Sequence, residues 1–71
     1  MNAEQTEKCM FVNGNLSATM RAADVGVDRL RYRMDGAEEF VDILYANRWT
    51  KSVCVTGDSL KAIMQDILNR V

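Results

Sequence analysis

In the run from Val27 to Met34, Arg29, Arg31 and Arg33 fall on one side of an extended chain, and Leu30, Tyr32 and Met34 fall on the other. This period of two predicts a strand with one apolar face and one cationic face. Asp35-Gly36 separates it from a second alternating segment, and this pair favours the type I′ turn that right-twisted strands require. A two-residue loop at that point sets Met34 opposite Ala37, Arg33 opposite Glu38, Arg31 opposite Phe40 and Arg29 opposite Asp42, with Leu30 facing Val41. Arg33 and Arg29 then each have a carboxylate across the ladder. Arg31 is left as the arginine best placed for an external anion.

The next connection, near Ala46-Asn47-Arg48, decides which face Val53 and Val55 occupy. A three- or five-residue connection, or a bulge, gives a consistent core of Leu30, Tyr32, Met34, Val41, Ile43, Tyr45, Val53 and Val55. Phe40 and Leu44 stay on the arginine side. A helix is expected after Thr56-Gly57-Asp58, where Thr56 or Asp58 can accept bonds from the first free amides. Leu60, Ile63, Met64, Ile67 and Val71 follow at helical spacing and form the stripe that packs on the sheet.

The first residues are less patterned. Residues 1–8 are polar and read as a mobile tail. Cys9 to Val12 is apolar, Asn13-Gly14 is a strong hairpin signal, and Leu16 to Met20 can form the returning strand. Arg21 to Gly26 is an Ala-rich connection. The expectation is a single α+β domain over residues 9–71, a curved antiparallel sheet of about four strands backed by one C-terminal helix. The strands would be a short N-terminal hairpin followed by a three-strand meander. A chain begun at Met20 would still contain the three clear strands and the helix.

With 71 residues the core is small, and disulfides, metals or oligomerisation are the usual supports. The chain has no histidine and only two cysteines, Cys9 and Cys54, without a Cys-x-x-Cys pair, so no zinc set of ordinary type can be assembled. A Cys9–Cys54 disulfide stays open. The polar start carries no signal-peptide pattern, and no apolar run is long enough to span a bilayer, so a cytoplasmic protein without membrane contact is expected. Net charge is −1, which lacks the basic balance of nonspecific nucleic-acid binders, although four of the nine basic residues lie between Arg29 and Arg48.

Candidate chemistry is sparse. Without histidine the usual general base is missing, and Ser59 and Cys54 have no evident activating partner. Asp28, Asp35, Glu38, Glu39 and Asp42 lie close along one hairpin and could hold a divalent ion such as Mg²⁺, with Asp35 the catalytic candidate. Asp35 is also an aspartate where turns favour aspartate for conformational reasons. Trp49 between Arg48 and Lys51 could stack a splayed base while the cations hold phosphate, or could cover an oligomer interface. Metal apart, no cofactor is expected.

The run from Trp49 through Thr56-Gly57-Asp58-Ser59-Leu60-Lys61-Ala62-Ile63 resembles the last strand and helix of positive-cofactor-four-like proteins. The Tyr45-Ala46-Asn47-Arg48-Trp49-Thr50-Lys51 hairpin resembles one in very small phage anti-CRISPR proteins of gut clostridia. This resemblance covers roughly the last forty-five residues; the positive-cofactor-four relatives usually carry more lysine on the concave sheet. It implies a homodimer or tetramer that contacts DNA, and in its sharpest form an anti-CRISPR that nicks or relaxes supercoiled DNA. Arg29, Arg31, Arg33, Arg48, Trp49 and Lys51 would form the nucleic-acid surface. The alternative is a non-enzymatic protein-binding inhibitor or adaptor without nucleic-acid contact.

Overall fold

The residues expected to form a first hairpin are helical. In the computed structural model, which describes residues 1–71, helix α1 (Ala3–Met10) runs through a π-helical segment (Phe11–Leu16) into α2 (Ser17–Ala23). Strands β1 (Val27–Asp35), β2 (Glu38–Tyr45) and β3 (Arg48–Cys54) follow, then helix α3 (Leu60–Arg70). The sheet is antiparallel with the order β1-β2-β3. The α+β class therefore stands, with three strands in place of four and a helix at each end of the chain.

Local chemistry explains the N-terminal difference. Asn2 accepts a bond from the Gln5 amide at 2.8 Å while the Gln5 side chain accepts one from the Asn2 amide at 3.0 Å, a reciprocal cap that starts α1 inside the expected tail. Lys8, Val12, Leu16 and Met20, every fourth residue, are all buried. In a regular α-helix each would be rotated about 40° from the last. The wider π turn, where the Ser17 amide reaches back to the Val12 carbonyl, brings the middle of this row closer to one line. Gly14 has no positive φ and simply lies within that turn. A strand of four residues would bury much less, so packing overrides the hairpin signal of Asn13-Gly14.

The meander forms, with its first turn displaced. Gly36, with φ +62°, and Ala37 are the central residues, so that Asp35 pairs with Glu38. Positive φ at the first central residue alone fits a type II′ turn in place of the expected type I′. The register moves by two residues: Arg33 faces Phe40, Arg31 faces Asp42 and Leu30 faces Ile43. An even shift leaves every side chain on its expected face but changes every partner. The second turn, Ala46-Asn47, has φ of 51° and 64°, the type I′ pattern. A bulge at Thr50, between the pairs Ile43–Lys51 and Leu44–Trp49, supplies the odd residue that returns Val53 to the core face.

Both helical arms pack on that face. Twelve buried residues form a single cluster: Val12, Leu16 and Met20 from the first arm, Ile63 and Ile67 from α3, and Val27, Leu30, Tyr32, Val41, Ile43, Val53 and Val55 from β1 to β3 and the residue after. Tyr45 departs from expectation at 47% exposed, its ring lying where a Cβ on Gly26 would stand only 2.9 Å away. Val71 is exposed as well. The α3 cap is Ser59, which accepts from the Ala62 amide, whereas Thr56 accepts from the Glu39 amide. No helix is long and apolar enough to cross a membrane.

Candidate functional site

With both helical arms on one side, the other face of the sheet is left open. Alternation places Arg29, Arg31 and Arg33 of β1 there, with Glu38, Phe40, Asp42 and Leu44 of β2 and Trp49, Ser52 and Cys54 of β3. At its centre Asp42 is only 3% exposed, although it faces away from the core. One of its oxygens, Oδ2, accepts from Arg33 Nε at 2.8 Å and from Arg31 Nη2 and Nε at 3.1 and 3.3 Å. The other accepts from the Ser52 hydroxyl. Burial by itself would raise the carboxyl pKa, but the bonds from Ser52, Arg33 and Arg31 outweigh it and hold the group below its ordinary value.

The two arginines also lie against rings. The Arg31 guanidinium carbon is 4.2 Å from the centroid of Trp49, and that of Arg33 is 4.8 Å from the centroid of Phe40. One carboxylate thus fixes two guanidinium groups, each stacked on an aromatic side chain. Arg31, expected to be unpaired because its neighbour was Phe40, is ion-paired to Asp42. Arg29, expected opposite Asp42, faces Leu44 and makes no ion pair.

The remaining candidates scatter. Arg48 pairs with Tyr45 and Lys51 with Ile43, which places both on the opposite side of β3 from Trp49. Asp35 sits exposed at the end of β1, opposite the like charge of Glu38. No group of three or more His, Cys, Asp or Glu side chains is arranged to hold a metal ion, so the acidic hairpin does not converge on one point. Cys9 and Cys54 are free thiols on opposite sides of the sheet, the first packed against the core and the second exposed on the open face.

A second polar cluster, under α1, has no signal in the sequence, because its members come together only through the helix. Glu39, 7% exposed, accepts from Lys8 Nζ at 2.9 Å, from the Gly57 amide at 2.8 Å and from the Tyr32 hydroxyl. Burial pushes the Glu39 pKa up, yet the Tyr32, Gly57 and Lys8 bonds prevail and bring it down to about 2. Burial and the same carboxylate push the Tyr32 phenol up. All the oxygens are satisfied within the fold, and the cluster ties α1 to the sheet.

Comparison of the chain with models of known protein families, with curated proteins and with solved structures gave no match.

Proposed function

We propose that this chain is a non-enzymatic protein-binding module whose working surface is the open face of the sheet. The observation that carries this reading is the pair of stacks, Arg31 on Trp49 and Arg33 on Phe40, held in place by Asp42. Arginine and aromatic side chains dominate the energetics of protein interfaces. Side chains already fixed in one arrangement lose less entropy when a partner docks. Leu44 and the exposed part of Trp49 add apolar area beside them.

The same geometry weighs against base stacking as the main mode. A guanidinium covers one side of each ring, and a base stacking there must displace it. Arg29, Arg31 and Arg33 share the face with Asp35, Glu38 and Asp42, which leaves no net charge and no lysine. Nucleic acid stays as the second reading, the one the family resemblance implies. It is favoured by Arg29, which has no carboxylate partner and stands in a row with two further arginines.

Two assays separate the readings. The first partner to test is a second copy of the chain, by light scattering of the wild type and of Trp49→Ser, followed by capture of other proteins from nuclease-treated extract. The second assay incubates the protein with supercoiled plasmid, with and without Mg²⁺, on a gel that resolves shifted and nicked DNA. A protein complex that survives raised salt and is lost in Trp49→Ser, with plasmid unchanged, is the expected result. Binding or nicking of DNA that weakens steeply with salt would replace it with the nucleic-acid reading.

A further inference from the structure

The two edges of the sheet are treated differently. On β1 the outward backbone groups are closed by the first helical arm: the Leu30 amide donates to Ser17 Oγ at 2.9 Å, the Ser17 hydroxyl lies 3.2 Å from the Leu30 carbonyl, and the Tyr32 amide donates to Asn13 Oδ1 at 2.7 Å. Two helical side chains thus stand where a fourth strand would pair. β3, at the other edge, has no such cover, because neither a strand nor a side chain meets its outer groups.

The hydrogen-bonding direction along that edge follows from the ladder. Leu30 and Tyr32 point outward, so Arg31 and Asp42 form a pair bonded to each other, and Val41 and Ile43 turn toward β3. Their partners Val53 and Lys51 therefore point inward, as the Val55 amide does in bonding the Glu39 carbonyl at 2.9 Å. The amides and carbonyls of Ser52 and Cys54 are left facing out. Beside them runs an open groove of about 410 Å³, lined by Thr50, Lys51, Ser52, Val53 and Arg70.

Charge selects the occupant. No Asp or Glu occurs between Ile43 and Gly57, although the chain as a whole has net charge −1. Two copies joined antiparallel through Ser52 and Cys54 would set Lys51 of each opposite Val53, Val55 or Gly57 of the other, so that neither edge would offer a carboxylate to the cation of its partner. Cationic edge residues commonly serve to prevent such self-pairing. They also attract an anionic strand. We propose that the β3 edge captures an extended acidic segment of another protein as a fourth strand. The segment would bond to Ser52 and Cys54 and carry carboxylates at alternate positions toward Lys51 and Arg70. This edge uses the outward backbone of Ser52 and Cys54 with Lys51 and Arg70 on the core side of the sheet, whereas the arginine face uses side chains on the other side.

The test uses the whole chain, labelled with nitrogen-15 and titrated with extended peptides of equal length that alternate valine with glutamate or valine with lysine. The glutamate peptide is expected to shift the Ser52 and Cys54 amides and slow their exchange, while leaving Leu30 and Tyr32 unchanged. Lys51→Glu combined with Arg70→Glu changes only exposed side chains and is expected to weaken capture by about tenfold or more. Arg29→Ala, on β1 at the far side of the open face, should leave it unchanged, so this proposal and the arginine-face reading can fail independently. Equal binding of the lysine peptide would overturn the inference, as would shifts confined to the arginine face or none at millimolar peptide. Slowing of the same amides with protein concentration alone would assign the edge to a second copy and also overturn it.

Discussion

Glu39 shows how far a single side chain can reach in so small a fold. Its pKa of about 2 lies below the ordinary 4.5, so the stability it contributes is complete above about pH 4.5 and is lost as pH falls toward 2. Asp42, also held low, loses its contribution in the same acid range. Urea midpoints between pH 7 and pH 2 should therefore fall for the wild type and fall less for Glu39→Gln. At neutral pH that variant leaves the buried Lys8 ammonium with only the exposed Glu4 carboxylate, 3.6 Å away, and a loss of about 3 kcal/mol is expected. A flat wild-type profile across this range would show that the ion pair adds nothing. Neither carboxylate stood out among the acidic residues of the hairpin. Their roles depend on partners 31 residues away for Lys8 and Glu39, and on a register set by one turn for Asp42.

At the scale of elements, alternation identified the meander and its two faces, because period two survives any even slip. Partner identity did not survive, since Asp35-Gly36 and Gly36-Ala37 are both competent turns and the choice between them moves the register by two residues. The first arm was misread because a short apolar run beside Asn13-Gly14 fits a hairpin locally, and only the presence of the sheet rewards the helix. That arm's attachment can be tested. Ser17→Ala removes the group bonded to the Leu30 backbone and should cost about 1–3 kcal/mol, with faster amide exchange at Leu30 than at other core amides. In α3, where sequence and structure agree, Ile63→Ala and Ile67→Ala should each cost about 2–5 kcal/mol in thermal or urea unfolding. Melts near those of the wild type would mean that the helix is not held by these side chains.

For the molecule as a whole, the first arm is half of the roof over the sheet. A chain begun at Met20 keeps all three strands and α3, but loses Val12 and Leu16 from the core and Asn13 and Ser17 from the β1 edge. Such a fragment should fail to fold, as read by a collapsed amide spectrum and by aggregation through its newly bare edge. A dispersed spectrum like that of the whole chain would show that α3 alone can close the core.

The π-helical segment also carries one residue more than an α-helix needs between its ends. A Cβ on Gly14 meets nothing within 4 Å, so Gly14→Ala should stabilise the fold by about 0.5–1 kcal/mol through ordinary helix propensity. Deleting Gly14 shortens the five-residue reach from the Ser17 amide to the Val12 carbonyl to the four-residue reach of an α-helix, so Lys8 and Val12 keep nearly the same bearing on the sheet as Leu16 and Met20. Insertion of a residue has no such outlet. It widens a reach already wider than α, or turns everything before it by about 100° relative to everything after it. The first arm should therefore bear a shortening by one residue and fail on a lengthening by one, an asymmetry that a deletion and insertion scan of residues 11–16 would display directly.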